Sequence, residues 1–178
     1  MKKTLLLLLL TTLIINGQDK WATKIATVYF EASVLFFEPI QAENKTVNCQ
    51  INTKKATIVF VVFVKDFHFE KSLMQQHFNE NYLESNKYPK AIFKGKIERF
   101  ELSKISVSPS IYMIAGSITI HGQSKKMRLP ASFKKIGKQL ELHTSFNLNT
   151  HDFEIQIPFL VRDKIAKNVH VNLLAVLQ

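Results

Sequence analysis

Residues 27–36, 57–65, 91–99, 111–120 and 140–148 read as strands, all but the second by an alternation of hydrophobic and polar side chains, the period-two signature of one face on a core. In the first, Val28, Phe30, Ala32, Val34 and Phe36 share a face, and Phe37-Glu38-Pro39 breaks the pattern. Residues 41–50 are polar and read as a turn-like connection. Residues 57–64 are apolar on both faces, with Val59, Val61 and Phe63 on one and Ile58, Phe60, Val62 and Val64 on the other, as in a strand covered on both sides. Ala91, Phe93, Gly95 and Ile97 form the inner face of a further strand, and Tyr112, Ile114, Gly116, Ile118 and Ile120 that of the next. His121-Gly122-Gln123-Ser124 then turns the chain into a returning strand bearing Met127, Leu129, Ala131 and Phe133. Gly137 turns it again towards Leu140, Leu142, Thr144, Phe146 and Leu148, and Val169, Val171, Leu173, Ala175 and Leu177 can close the sheet.

A single stretch departs from this period. In residues 70–84 the apolar positions Leu73, Met74 and Phe78, with His77, recur at three and four residues, which predicts one short amphipathic helix. Pro89 ends it, because its ring disfavours helical geometry at Tyr88. The fold class is therefore all-β. Its strands carry more apolar side chains than one sheet face can shelter, so they either pack as two layers or curl round a cavity. Up-and-down closure into a barrel would also remove exposed strand edges.

The N-terminus has another character. Lys2 and Lys3 precede an apolar run over residues 5–15, long enough for a signal-peptide core and too short to span a bilayer. The reading is a cleaved export signal over residues 1–18, with Asn16-Gly17-Gln18 near the cut, followed by one domain over 19–178. That places the protein in the periplasm or outside the cell. The whole chain has a net charge of +10; without Lys2 and Lys3, 22 basic and 14 acidic residues remain, a net of about +8. This favours acidic partners or transient contact with an anionic membrane surface. Nucleic acid is disfavoured, since export removes it and the lysines do not gather on one helix. Cys49 is the only cysteine, which excludes an internal disulfide and leaves stability to the core.

Catalytic chemistry is not indicated. None of His68, His77, His121, His143, His151 and His170 stands in the close, carboxylate-supported spacing of a zinc hydrolase. His77 is expected in the helix's packed stripe, and His121 as a structural or exposed turn residue. Cys49, Ser72 and Asp152 form no nucleophile constellation. No catalytic residue, metal site or cofactor is therefore assigned.

Two stretches carry a family resemblance. Phe78-Asn79-Glu80-Asn81-Tyr82-Leu83-Glu84-Ser85-Asn86-Lys87-Tyr88-Pro89-Lys90-Ala91-Ile92-Phe93-Lys94-Gly95 resembles the helix ending, tyrosine-proline bend and aromatic strand of the YceI-like polyisoprenoid-binding proteins. Ala115-Gly116-Ser117-Ile118-Thr119-Ile120-His121-Gly122-Gln123-Ser124-Lys125 resembles that family's glycine-bearing hairpin, and residues 146–155 continue the likeness. The resemblance implies a lipocalin-like antiparallel β-barrel that holds a long-chain isoprenoid or other lipid. On that basis Val59, Val61, Phe63, Phe93, Ile97, Ile114, Ile118, Phe146 and Phe153 are expected to line a cavity, with Asn81, Tyr82 and Asp152 at its mouth. The alternative is an exported structural or protein-interaction module whose barrel is filled.

Overall fold

A computed structural model describes residues 19–178, so the export-signal reading lies outside the described residues. Nine strands run β1 (Lys20–Glu31), β2 (Gln41–Asn52), β3 (Thr57–Phe63), β4 (His68–Phe69), β5 (Lys90–Ile97), β6 (Ser110–Ile120), β7 (Gln123–Ile136), β8 (Gln139–Asn149) and β9 (Asn168–Leu177). The sheet order is β1-β9-β8-β7-β6-β5-β3-β2, and β1 pairs with β2, so eight antiparallel strands close into a barrel. The two-residue β4 pairs with the start of β2, at Ala42 and Glu43. One short helix, α1 (Ser72–His77), continues as a single wider turn over Phe78–Tyr82.

Strand β2 corrects the turn-like reading of residues 41–50. Its inward positions are Ala42, Asn44, Val47, Cys49 and Ile51, all buried, and two of these five are polar or thiol-bearing, which hides the alternation. The register slips between Ala26–Val47 and Val28–Asn44, a bulge on the β2 side. Asn44 holds that irregularity: its side-chain amide donates to the Phe63 carbonyl at 2.9 Å, while Oδ1 accepts from the Thr46 amide at 2.9 Å. Strand β1 also stops earlier than its pattern suggests. It ends at Glu31, and Phe36 sits in a turn with φ of 69°.

Because the strands alternate in direction, the two longest connections, 64–89 and 150–167, meet at one end with 32–40 and the tight turn at 121–122. The other end is plugged by solid packing. Ile51, Ile58, Ile97, Ile105, Ile114, Phe133, Leu140, Leu142 and Leu177 are each at most 2 % exposed there. Phe100 and Tyr112 pack against Phe133 of this layer and against each other, edge-on and tilted, with centroids 5.4–5.6 Å apart.

Candidate functional site

The barrel does not stay solid towards the end with the long connections. Above the packed layer lies an apolar cavity of about 390 Å³, open at the mouth. Its floor and walls come from Phe60, Phe93, Ile118, Leu129, Phe146 and Leu173 on successive strands. A pair of glycines shapes the wall. Gly95 on β5 and Gly116 on β6 are directly opposite one another, and the Phe93 ring lies across them. A Cβ on Gly95 would stand 2.7 Å from that ring, and one on Gly116 would stand 2.7 Å from it as well as 2.4 Å from the Lys94 carbonyl oxygen. With no side chains beneath it, the ring lies close to the wall.

Four phenylalanines build the side nearest α1. Phe78 packs against Phe30, Phe67 and Phe69 with centroids 5.5, 5.5 and 5.0 Å away, joining the helical turn to β1, β4 and the residues before β4. Aromatic pairs at these spacings contribute about 0.5–1.5 kcal/mol each beyond area burial. Met74 and Tyr82 add to this wall. Burial raises the Tyr82 phenol above the ordinary tyrosine value.

The opposite side contains a wedge. Strands β7 and β8 pair only from Ala131–Thr144 to Ile136–Gln139, so β7 runs on towards the mouth without β8. At the parting point Thr144 donates from Oγ1 to the Pro130 carbonyl at 2.7 Å, satisfying a buried group. The turn Thr150–Phe153 fills the wedge, with Phe153 only 2 % exposed and facing the cavity. His121 fastens this plug. Its Nδ1 lies 3.1 Å from the Phe153 carbonyl oxygen and its Nε2 2.7 Å from a Glu84 carboxylate oxygen, with the Tyr88 ring edge-on at 4.5 Å. Both ring nitrogens face acceptors, so the arrangement is fully bonded only when both carry protons. Thr150 Oγ1 is buried in the cavity wall without a hydrogen-bond partner among the described residues.

The sequence-based site residues fall into four groups. Tyr82, Phe93, Ile118, Phe146 and Phe153 line the cavity. Ile97 and Ile114 point inward but are packed below its floor, at 1 % and 0 % exposure. Val59, Val61 and Phe63 are a correction, because they occupy the outer face of β3. Phe60 is directly opposite Phe93 in the ladder and must share its face, which puts Ile58, Phe60, Val62 and Val64 inside. Val59 and Val61 border a shallow external cleft, and Phe63 lies under the Lys90 ammonium at 5.1 Å. Asn81 and Asp152 are exposed and outside the cavity wall, and Asp152 pairs with Lys125 at 3.4 Å. His77 is exposed at the rim rather than packed, and Leu73 is 60 % exposed, because α1 turns only Met74 and the following Phe78 inward. Phe30, Phe60, Val62, Phe67, Phe69 and Phe78 are wall residues that the strand patterns left out of the site. The alternation Phe67, Phe69 was the available signal for two of them.

Among the described residues no group of three or more His, Cys, Asp or Glu side chains is placed to hold a metal. The cavity wall is almost wholly carbon, which suits retention of an apolar molecule. A closed antiparallel barrel, packed at one end and hollow at the other, belongs to the lipocalin-like class of binding proteins. Comparison narrows that class: the YceI-like domain matches residues 20–177, and the chain belongs to the YceI-like family. Its fold is similar to that of a polyisoprenoid binding domain from Saccharophagus degradans implicated in plant cell wall breakdown (TM-score 0.80, 10% identity, 91% of this chain and 99% of that one). Burkholderia cenocepacia BcnA superposes with a TM-score of 0.68 at 15% identity over 86% of this chain and 96% of its own. The Campylobacter jejuni YCEI protein gives 0.60 at 15% identity over 80% and 88%. No curated protein sequence matches significantly. Family membership makes the chain a binding module rather than an enzyme, and its barrel suits a lipid-binding role.

Proposed function

We propose that the protein is an exported carrier that sequesters a long-chain lipid of the isoprenoid type, with the tail in the cavity and the polar end at the mouth. The observation that carries this reading is the open, carbon-lined cavity of about 390 Å³. That volume lies towards the lower end of the roughly 300–1,000 Å³ of small-molecule sites. It suits one chain segment, with any further length leaving along the rim. Each methylene withdrawn from water contributes about 0.8 kcal/mol, so retention needs no specific polar contact. Export is supported by Lys2, Lys3 and the apolar run over 5–15, and N-terminal sequencing of the exported protein should begin close to Asp19.

The test is native mass spectrometry of protein purified from its own producer, followed by extraction and identification of the released lipid. An apolar chain at defined stoichiometry is expected. Ile118→Trp, placed on the cavity wall, should lower retention of long tails while the barrel still melts cooperatively. Absence of bound lipid together with failure to take up any added apolar chain would overturn the carrier reading. Unchanged lipid mass and affinity in a folded Ile118→Trp protein would overturn the placement of the tail.

A further inference from the structure

Among the described residues the two most exposed large apolar side chains, Phe36 and Leu160, lie at the end of the barrel that carries the cavity, while Ile25, Val107 and Ile111 are exposed elsewhere. In the turn between β1 and β2, Leu35 is 77 % and Phe36 95 % exposed; in the connection between β8 and β9, Phe159 is 74 % and Leu160 87 % exposed. The Ala166 amide donates to the Ala32 carbonyl at 2.9 Å, clipping the two connections side by side. Their neighbours Phe37, Ile157 and Val161 line the cavity, so both connections contribute apolar side chains to its wall as well as to these tips. Charge is distributed the opposite way. Residues 32–40, 64–89, 121–122 and 150–167, which form this end, hold six basic and eight acidic side chains, whereas the other described residues hold 16 basic and six acidic. The rim thus has no excess of positive charge for an acidic partner or an anionic headgroup to select.

We propose that this rim docks on a lipid bilayer by inserting Leu35, Phe36, Phe159 and Leu160, setting the cavity mouth against the acyl region. This rests on the lipid-carrier reading for what passes through the mouth. A bilayer fits better than a protein partner because the tips are separate side chains on two turns, and their insertion asks for no partner of complementary shape. Insertion needs only that apolar tips leave water and that charged groups stay out of the hydrocarbon. The near balance of charge at this end keeps docking from depending on anionic lipid. Exposed aromatic and leucine side chains around a cavity mouth are otherwise a liability for a soluble protein.

The experiment is flotation of the purified protein with phosphatidylcholine vesicles, and in parallel with vesicles containing one part phosphatidylglycerol in four, at low and high salt. Wild type is expected to float with both, with little loss at high salt. Phe36→Ser/Leu160→Ser should reduce partitioning on the order of 100-fold, the equivalent of two large apolar side chains kept in water. Its cooperative melting and its extractable lipid content should match the parent, which separates loss of docking from loss of carriage. Failure of wild type to bind either vesicle would overturn docking, whatever lipid the cavity holds. So would binding confined to anionic vesicles, removed by salt and indifferent to the tip substitutions, which would assign contact to the basic barrel wall. Light scattering that shows a dimer dispersed by the same substitutions, without vesicle binding, would assign the tips to a second copy and equally refute the proposal.

Discussion

Gly116→Ala tests whether the glycine pair shapes the cavity wall. The new Cβ would lie 2.4 Å from the Lys94 carbonyl oxygen and 2.7 Å from the Gly95 Cα, both backbone atoms of β5. Relief to ordinary contact requires β5 and β6 to separate by about 1 Å, which exceeds the range of an interstrand hydrogen bond. Overpacking of this kind costs about 1–3 kcal/mol, and a lost ladder bond adds about 0.5–1.5. Reduced freedom of the unfolded chain offsets about 0.5–1 kcal/mol. The net is a loss centred on about 2 kcal/mol, or ~4–8 °C in melting temperature for a domain of this size. Gly95→Ala differs in kind, since its Cβ meets only side-chain atoms of Phe93 and Ile114, at 2.7–2.9 Å. Combining each variant with Phe93→Leu separates the cases. The smaller side chain should recover most of the Gly95→Ala loss and little of the Gly116→Ala loss. Urea and thermal unfolding followed by circular dichroism measure all six proteins, the parent and Phe93→Leu alone included. A Gly116→Ala protein as stable as the parent, or one fully restored by Phe93→Leu, would refute the backbone-contact argument.

Three further outcomes follow from the geometry. Phe78→Ala should cost somewhat less than the roughly 3–5 kcal/mol of a fully buried phenylalanine, because the ring borders the cavity and is only partly buried; chemical denaturation that shows no change would remove the helical turn from the wall. Burial pushes the Cys49 thiol well above its ordinary value, and Cys49 is 2 % exposed, so an aromatic disulfide reagent at neutral pH should label it only as the barrel opens; fast stoichiometric labelling of the native protein would contradict its position in β2. His121→Gln cannot span the Phe153 carbonyl and Glu84 together, so it should cost about 1–3 kcal/mol and speed amide exchange in residues 150–157 more than in β6; uniform exchange across both would show that the imidazole does not fasten the wedge.

The parts of this fold that were legible in the sequence are those where one face is apolar and the other is not. Ala91, Phe93, Gly95 and Ile97 alternate with Lys94 and Lys96, so their phase was unambiguous, and the structure turns the same four inward. Strand β3 lacks that contrast. Its alternation is a choice between two apolar sets, and only the ladder contact between Phe60 and Phe93 decides it. The flanks held a weak clue, because Lys55, Thr57 and Lys65 share the parity of Val59 and Val61 and so favour that set for the outside. Strand β2 failed for the reverse reason: an inward Asn44 satisfied by Phe63 and Thr46 reads as polar until its partners are known.

The mouth was the least legible region, since its walls are built from connections whose period is neither two nor 3.6. Phe30, Phe67, Phe69 and Phe78 become neighbours only after the barrel closes and the helical turn folds back across it. The same closure explains why cavity and core could not be separated by composition. Ile114 and Ile118 stand on one face of one strand, yet the first is sealed in the packed half and the second borders the hollow one. What divides them is the pair of glycines at 95 and 116, where Phe93 lies down against the wall. The hollow half then continues into the exposed Leu35, Phe36, Phe159 and Leu160. Solid packing at one end supplies the stability that lets the other remain open, so the division between core and cavity is also the division between what holds the barrel and what it can hold.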